Sequence, residues 1–308
     1  MKAVLLTQHG GPEMLRYGDA PDPTAGPGDI VVDIHAASVN AADYKVRLGG
    51  GRYGLSKFPH ILGRDFSGVV SSVGPGVTDL KVGDAVFGVT DQGIEGAYAE
   101  RIAIKAAIVA KKPDRLSHAD AAALGLTSLT ALWAVEDTAH LKAGQTILIQ
   151  GGAGGVAGFA IQLAKHLGAS VITTASAGNH AYVRSLGADR VIDYNAEDFT
   201  KIGRICDVVF DTVGGQVQVA SYAVLKPGGK LIWIAPAPEG FRPDRADVET
   251  LRPNVIRDRA HLQRMLTLLE AGAIKPPPIA PYKLAEAAQA HRISEARHLQ
   301  GKLVFVVR

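Results

Sequence analysis

Residues 151–158, GGAGGVAG, carry the strongest chemical signal in the chain. Gly152, Gly154 and Ala157 fit the spacing G-x-G-x-x-A, after the apolar run Ile147-Leu148-Ile149-Gln150 and at the start of the helical run GVAGFAIQLAKHL. A buried strand, a glycine turn and a helix N-terminus in that order suit a pyrophosphate. The first glycine permits the tight turn, the second lets backbone amides approach the phosphates, and the third, small residue lets helix and strand pack closely. The helix N-terminus adds partial positive charge. Ala153, Gly155 and Val156 belong to the same turn and are assigned to the same ligand. The plainer alternative, a glycine-rich turn with no ligand, is disfavoured by the strand–turn–helix context.

The residues after the next strand choose between dinucleotides. VITT ends at Ala175-Ser176-Ala177-Gly178-Asn179-His180. An NAD site usually places Asp or Glu there for the adenosine 2′-hydroxyl. None is present, and the nearest acid, Asp189, follows LGA in a later turn. A missing carboxylate removes repulsion against a 2′-phosphate. Ser176 and Asn179 can donate hydrogen bonds to it, as can a suitably placed His180. Against this, no Arg or Lys stands at the strand end, and Arg184 is on the following helix. NADPH is the expected cofactor.

Other chemistries find less support. Cys206 is the one cysteine in 308 residues, which excludes an internal disulfide and a thiolate zinc cluster and fits a reducing cytoplasm. Ten histidines occur, but none forms H-x-x-H or H-E-x-x-H, and His35 falls on the Asp33 face of its strand. They are read as surface or hydrogen-bonding residues. Tyr53 and Lys57 have the Tyr-x-x-x-Lys spacing of short-chain dehydrogenases. That pair belongs on a helix downstream of the dinucleotide turn; here it lies upstream in the loop LGGGRYGLSKFP, so coincidence is the better reading. A net charge of +3, scattered along the chain, argues for neither a nucleic-acid nor a membrane partner. No run reaches the roughly 20 apolar residues of a transmembrane helix. The N-terminal MKAVLLTQHGG reads as a first strand rather than a signal.

These residues must be held by two kinds of scaffold. Residues 1–118 read as mostly β: Ile30, Val32, Ile34 and Ala36 alternate with Val31, Asp33 and His35. The apolar runs KAVLL, FSGVVSSVG, DAVFGV and RIAI are separated by Gly/Pro turns, as in a small barrel. Ser117 and Asp120 have the spacing of a helix cap before AAALGLTSLTALWAV. Beyond it, strands alternate with helices of roughly 10 residues, the pattern of a parallel sheet with helices on both faces. TILIQ, ASVITTA, RVIDY, CDVVFDTV and KLIWIA are the strands; HAYVRSLGA and QVASYAVL are helices after the first. A last short strand is expected at residues 255–257, before the helix AHLQRMLTLLEAG. KPPPIAP breaks the pattern, and GKLVFVV is a closing strand returning to the first domain.

The ordered motifs SVNAADYKVRLG, ILGRDFSGVVSSVG, VGDAVFG, GGAGGVAG, VIDY, DVVFDTVGG and GKLVF resemble the medium-chain dehydrogenase/reductase superfamily. Within it they resemble the zinc-free quinone oxidoreductase (zeta-crystallin-like) and enone reductase branch. The resemblance implies an α/β protein: a GroES-like β-barrel domain over 1–118, completed by 275–308, and a Rossmann doubly wound domain over 119–274. It also implies a cleft for the nicotinamide and a homodimer, for which the strand at 255–257 would supply an exposed edge. Zinc-bearing relatives place a cysteine at or near Asn40 and a His-Glu pair where this chain has Arg64-Asp65. The family pattern N-P-x-D stands here as Asn40-Ala41-Ala42-Asp43, without the proline. By the resemblance Asn40 holds the nicotinamide end, Thr130 contacts it from a helix, and Tyr194 lies against the adenosine. Val213, Gly214 and Ile234 complete the cofactor set.

Hydride transfer to a simple ketone needs a Lewis acid or a strong proton donor for the alkoxide. An enone or a quinone delocalises the charge itself, so modest hydrogen bonding to the acceptor oxygen suffices. Lys45 is the leading donor and Tyr44 the second, both in DYKVR. Each assignment has a plainer counterpart. Lys45 can be a solvated surface lysine, Asp43 a helix-capping residue, Thr130 a residue bonding its own backbone, and Tyr194 a packing residue. The leading expectation is a cytoplasmic NADPH-dependent reductase of quinones or α,β-unsaturated carbonyls. The alternatives are an alcohol dehydrogenase and an NADPH-binding redox sensor or structural protein without turnover.

Overall fold

The computed structural model describes residues 1–49, 55, 57–91 and 93–308. Tyr53, and with it the Tyr53–Lys57 spacing, lies outside the described residues. The chain divides into two compact units: Met1–Leu126 with Arg257–Arg264 and Pro276–Arg308, and Thr127–Ile256 with Met265–Lys275.

The first unit begins with strands β1 (Lys2–Leu6), β2 (Leu15–Asp19) and β3 (Asp29–Ser38), then helix α1 (Ala41–Leu48), then β4 (His60–Ile61), β5 (Asp65–Val73), β6 (Ala85–Val89), β7 (Arg101–Lys105) and β8 (Val109–Lys111). A three-stranded sheet has the order β2-β1-β4, and β3 anchors a seven-stranded one, pairing with both β5 and β7. Ile30, Val32 and Ile34 are fully buried while Asp33 and His35 are half-buried, the expected alternation, from which Val31, also buried, departs. The alternation then breaks: the register slips between Ile34 and Ala36, and Ala36, Ala37 and Ser38 are all buried. Helix α2 (His118–Leu132) starts where the cap predicts, with the Asp120 amide donating to Ser117 Oγ at 3.0 Å. Its first half carries Ala122 and Ala123 against Ala36, so the units divide inside this helix.

The second unit holds β9 (Thr146–Ile149), α3 (Gly155–His166), β10 (Ser170–Thr174), α4 (His180–Ser185), β11 (Arg190–Ile192), β12 (Cys206–Asp211), α5 (Gln216–Ser221), β13 (Leu225–Trp233) and β14 (Glu249–Leu251). All six strands are parallel, in the order β11-β10-β9-β12-β13-β14. The chain winds outward from β9 in one direction and then, from β12, in the other. The switch point between β9 and β12 is where such sheets bind ligands, at the strands' carboxyl ends.

The strand expected at 255–257 is not there: residues 252–258 form no regular structure, and the edge strand is β14, aligned on Lys230–Ile232. Pro253 ends the ladder by following β14 closely, since proline offers no amide to it. The sequence pattern pointed to the wrong place because an edge strand is only partly covered. Glu249 and Thr250 are exposed, so β14 has no apolar signature.

Helix α6 (Arg259–Glu270) is divided between the two units, and β15 (Ile279–Tyr282), α7 (Ala287–Ala296) and β16 (Lys302–Val306) finish the chain in the first. β16 pairs antiparallel with β3, and β15 lies outside it as an edge strand that tolerates Pro281. Among the described residues, no helix is long and apolar enough to cross a membrane.

Candidate active site

In the second unit the predicted cofactor residues converge. Gly152 to Val156 follow β9, Ser176 and Asn179 follow β10, Tyr194 follows β11, Val213 and Gly214 follow β12, and Ile234 follows β13. All stand at carboxyl ends of the parallel strands.

The turn itself is built for backbone display. Gly151 adopts a left-handed φ of +75°. A Cβ on Gly152 would sit 2.3 Å from Thr173 Oγ1, so only glycine fits. A Cβ on Gly154 would meet nothing closer than Gly151 O at 3.4 Å, so the protein's own packing does not require this glycine. Gly154 is also the N-cap of α3 and has no side chain to cap it. The first amides of α3 are therefore left without the side-chain acceptor that most helices provide, on a surface kept clear of Cβ atoms. That is the donor set a pyrophosphate takes, and the turn fits it.

Residues that the sequence reading passed over hold this turn. Thr174 Oγ1 accepts from the Gly151 amide at 3.0 Å and donates to Gln150 Oε1 at 2.7 Å. Gln150 Nε2 in turn reaches Ser221 Oγ at 3.1 Å. Asp211 Oδ1 accepts from the Val213 and Gly214 amides at 2.9 and 3.1 Å, fixing the loop after β12. Gln150 and Asp211, polar residues directly after the apolar runs Ile147–Ile149 and Val208–Phe210, were the available signal.

At the end of β10, Asn179 Nδ2 donates to Ser176 Oγ at 3.1 Å, and both residues stay partly exposed. His180 Nε2 is spent on the Ala175 carbonyl at 3.2 Å. Asp189 accepts from the Val171 amide at 2.7 Å, which places it by the amino end of β10 rather than the carboxyl end. Tyr194 is half-exposed in its turn, and Thr130 is nearly buried on α2.

In the first unit α1 carries Tyr44 and Lys45. Asp43 Oδ2 accepts from the Asn40 amide at 2.9 Å, the capping role weighed for it from sequence. Asp43 is also fully buried: Tyr98 Oη donates to it at 2.7 Å, and Arg64 lies 3.7 Å away. Burial pushes its carboxyl up to about 6 against the pull of Arg64. Arg64 continues to Glu95 at 2.9 Å, and Glu95 to His60 at 3.1 Å. Burial opposes the Glu95 charge, yet His60 and Arg64 hold it below the usual carboxylate range.

Asn40 joins a second cluster. Its Nδ2 donates to Asp65 Oδ2 at 2.9 Å, and its Oδ1 accepts from Lys302 Nζ at 2.7 Å. Asp65 and Lys302 are almost wholly buried. The side chains of DYKVR diverge. Tyr44 is buried, its Oη accepting from Arg297 Nε at 3.3 Å. Lys45 is half-buried and has no ion-pair partner among the described residues. Burial, and then the nearby Arg297, push its amine below the usual lysine range. Among the described residues no group of three or more His, Cys, Asp or Glu is arranged to hold a metal ion.

Comparison with known proteins agrees with this layout. Residues 26–114 match the alcohol dehydrogenase GroES-like domain, and residues 186–305 match the zinc-binding dehydrogenase family model. The chain is 36 % identical to the 2-methylene-furan-3-one reductase of Solanum lycopersicum over 318 residues, covering 99 % of this chain and 79 % of that protein. The chain belongs to the medium-chain dehydrogenase/reductase superfamily, in its quinone and alkenal/one oxidoreductase branch. An NADPH-dependent alkenal/one oxidoreductase of Arabidopsis thaliana, described as chloroplastic, is likewise 36 % identical over 317 residues, with the same coverage. The quinone oxidoreductase of Coxiella burnetii superposes with a TM-score of 0.92 at 35 % identity, covering 100 % of this chain and 99 % of that one. The superfamily makes the chain an NAD(P)-dependent oxidoreductase with a GroES-like domain and a parallel six-stranded Rossmann sheet.

Proposed function

We propose that this protein is an NADPH-dependent reductase of conjugated acceptors, quinones or α,β-unsaturated carbonyls. The observation that carries the reading is the acid-free end of β10. Ser176 and Asn179 stand there, α3 begins after the glycine turn without a side-chain cap, and Asp189 lies at the other end of the strand. That end accepts a 2′-phosphate without repulsion. The Arabidopsis relative is named as NADPH-dependent.

When bound, NADPH supplies the hydride. The turn at 151–158 holds the pyrophosphate, Tyr194 lies against the adenosine, and Thr130, Val213, Gly214 and Ile234 line the nicotinamide half. Asn40 holds the nicotinamide end. Lys45, which has no ion-pair partner among the described residues, offers the acceptor oxygen a positive charge, with Tyr44 beside it in sequence. Such a donor stabilises an enolate or hydroquinone anion but is weak for an isolated alkoxide, so conjugated acceptors are favoured.

NADPH oxidation against quinones, alkenals, cyclic enones and simple ketones tests the reading. Reduction of conjugated acceptors alone is expected, with label from the cofactor appearing at the enone β-carbon. Label at the carbonyl carbon, with an allylic alcohol as product, would overturn it. Lys45→Ala should cost about 1–3 kcal/mol of transition-state stabilisation while leaving NADPH affinity near normal. Pairing of β14 edges between two copies would give a homodimer, which light scattering checks.

A further inference from the structure

Asn40 sits between two buried opposite charges. An ammonium has only donors and a carboxylate only acceptors. Lys302 Nζ, 2.7 Å away, must therefore face the amide oxygen, and Asp65 Oδ2, 2.9 Å away, must face the amide nitrogen. The orientation of the Asn40 amide is dictated by its neighbours. Each neighbour is itself held. Lys302 also donates to the Val39 carbonyl at 2.8 Å, and Asp65 accepts from Ser38 Oγ at 2.5 Å and from the Leu126 amide at 2.9 Å. The lysine and the aspartate are 3.9 Å apart and 5 % and 0 % exposed, whereas Asn40 is partly exposed.

We propose that Lys302 and Asp65 are positioning residues that lock the Asn40 amide, so that one N–H and one oxygen lone pair are all it offers a ligand. One donor and one acceptor on one plane complement a carboxamide, the group the nicotinamide carries. The inference rests on the reading that Asn40 meets the nicotinamide. The energetic logic favours function over stability. A buried ion pair is a poor source of stability, and two apolar side chains would pack as well. Here the pair is arranged on either side of a partly exposed amide.

A double-mutant cycle tests it with Asn40→Ala, Lys302→Met and the double variant. The readouts are the NADPH dissociation constant by fluorescence titration, kcat with an enone, and the melting temperature of the cofactor-free protein. Each single change should weaken NADPH by about tenfold, the scale of a lost amide–carboxamide hydrogen bond. The double change should weaken it by about tenfold as well, not a hundredfold, because Lys302 acts only through Asn40. Multiplying losses would overturn the proposal. So would a Lys302→Met protein that melts lower but binds NADPH normally, the signature of a purely structural lysine. Normal NADPH affinity and kcat in Asn40→Ala would overturn the placing of Asn40 at the nicotinamide, and this inference with it. If Lys302→Met does not fold, Asp65→Asn/Lys302→Met removes both charges together and replaces it in the cycle with the same expected outcomes.

Discussion

At the dinucleotide turn the protein presents backbone; around Asn40 it presents side chains. The turn leads into the first amides of α3, which no side chain caps, over an apolar sheet whose central strand, Ile147 to Ile149, is fully buried. The α1 region instead gathers Asp43, Arg64, Asp65 and Lys302, all buried, from three separate stretches of chain. The first arrangement needs no charge and little side-chain ordering, so it depends on where Cβ atoms are absent. The second needs every polar partner in place, because an unpaired buried charge costs several kcal/mol. The two regions should therefore fail differently when altered.

The largest effect is expected where one charge is removed. Asp65→Ala takes away the acceptor for Ser38, Asn40 and the Leu126 amide and leaves Lys302 buried without its carboxylate. Denaturant unfolding should show a loss of about 3–5 kcal/mol. A loss below about 1 kcal/mol, the range of ordinary surface substitutions, would erase the contrast between the regions.

The turn should respond to the position of a single methyl. Gly152→Ala places its Cβ against Thr173 Oγ1, which is already bonded to the Ile149 carbonyl at 2.7 Å. Overpacking of this kind costs about 1–3 kcal/mol and will lower the melting temperature. Gly154→Ala should leave the melting temperature unchanged yet weaken NADPH by about 1.5–3 kcal/mol, the scale of a lost hydrogen bond to a charged group. Equal NADPH affinity in Gly154→Ala and the parent protein would show that the cleared surface serves no phosphate.

Acid separates the perturbed groups by sign. Burial, then His35 and Lys112, push His118 down to about 4, and burial, then Arg47, push His291 down to about 3. Both are neutral in the fold where the unfolded chain would protonate them near 6.5. Their contribution is therefore present above about 6.5 and is lost as pH falls toward 4 and 3. Asp43 runs the other way: raised to about 6, it favours the fold at low pH and stops doing so as pH rises through 6. The melting temperature should fall between pH 6.5 and 4, and Asp43→Asn should make that fall steeper. A flat profile in Asp43→Asn would contradict the histidine assignments, and an unchanged slope in that variant would contradict the Asp43 one.

The smallest effect is expected at the exposed end of β10. Ser176→Asp adds repulsion against a 2′-phosphate and should shift preference toward NADH by about 1 kcal/mol, the scale of a solvent-exposed charge pair. Paired titrations with both cofactors read it directly.

The sequence by itself determined the features that rest on short-range rules. The alternation of β3, the cap at Ser117 and Asp120, the glycine spacing at 152, 154 and 157, and the missing acid after β10 were all legible. Each depends on residues a few positions apart. The edge strand was misplaced, because β14 is too exposed to leave an apolar trace. Glu95 and His60, Gln150 and Ser221, and Asp65 and Lys302 could not be paired from sequence. The last two lie 237 positions apart in the chain. No local pattern encodes such contacts; they arise when β16 closes onto β3 and carries Lys302 to the Asn40 amide. Sequence could nominate Asn40, but only the tertiary structure decides which atoms of that amide are left to meet a ligand, because the charges that orient it are brought together by folding alone.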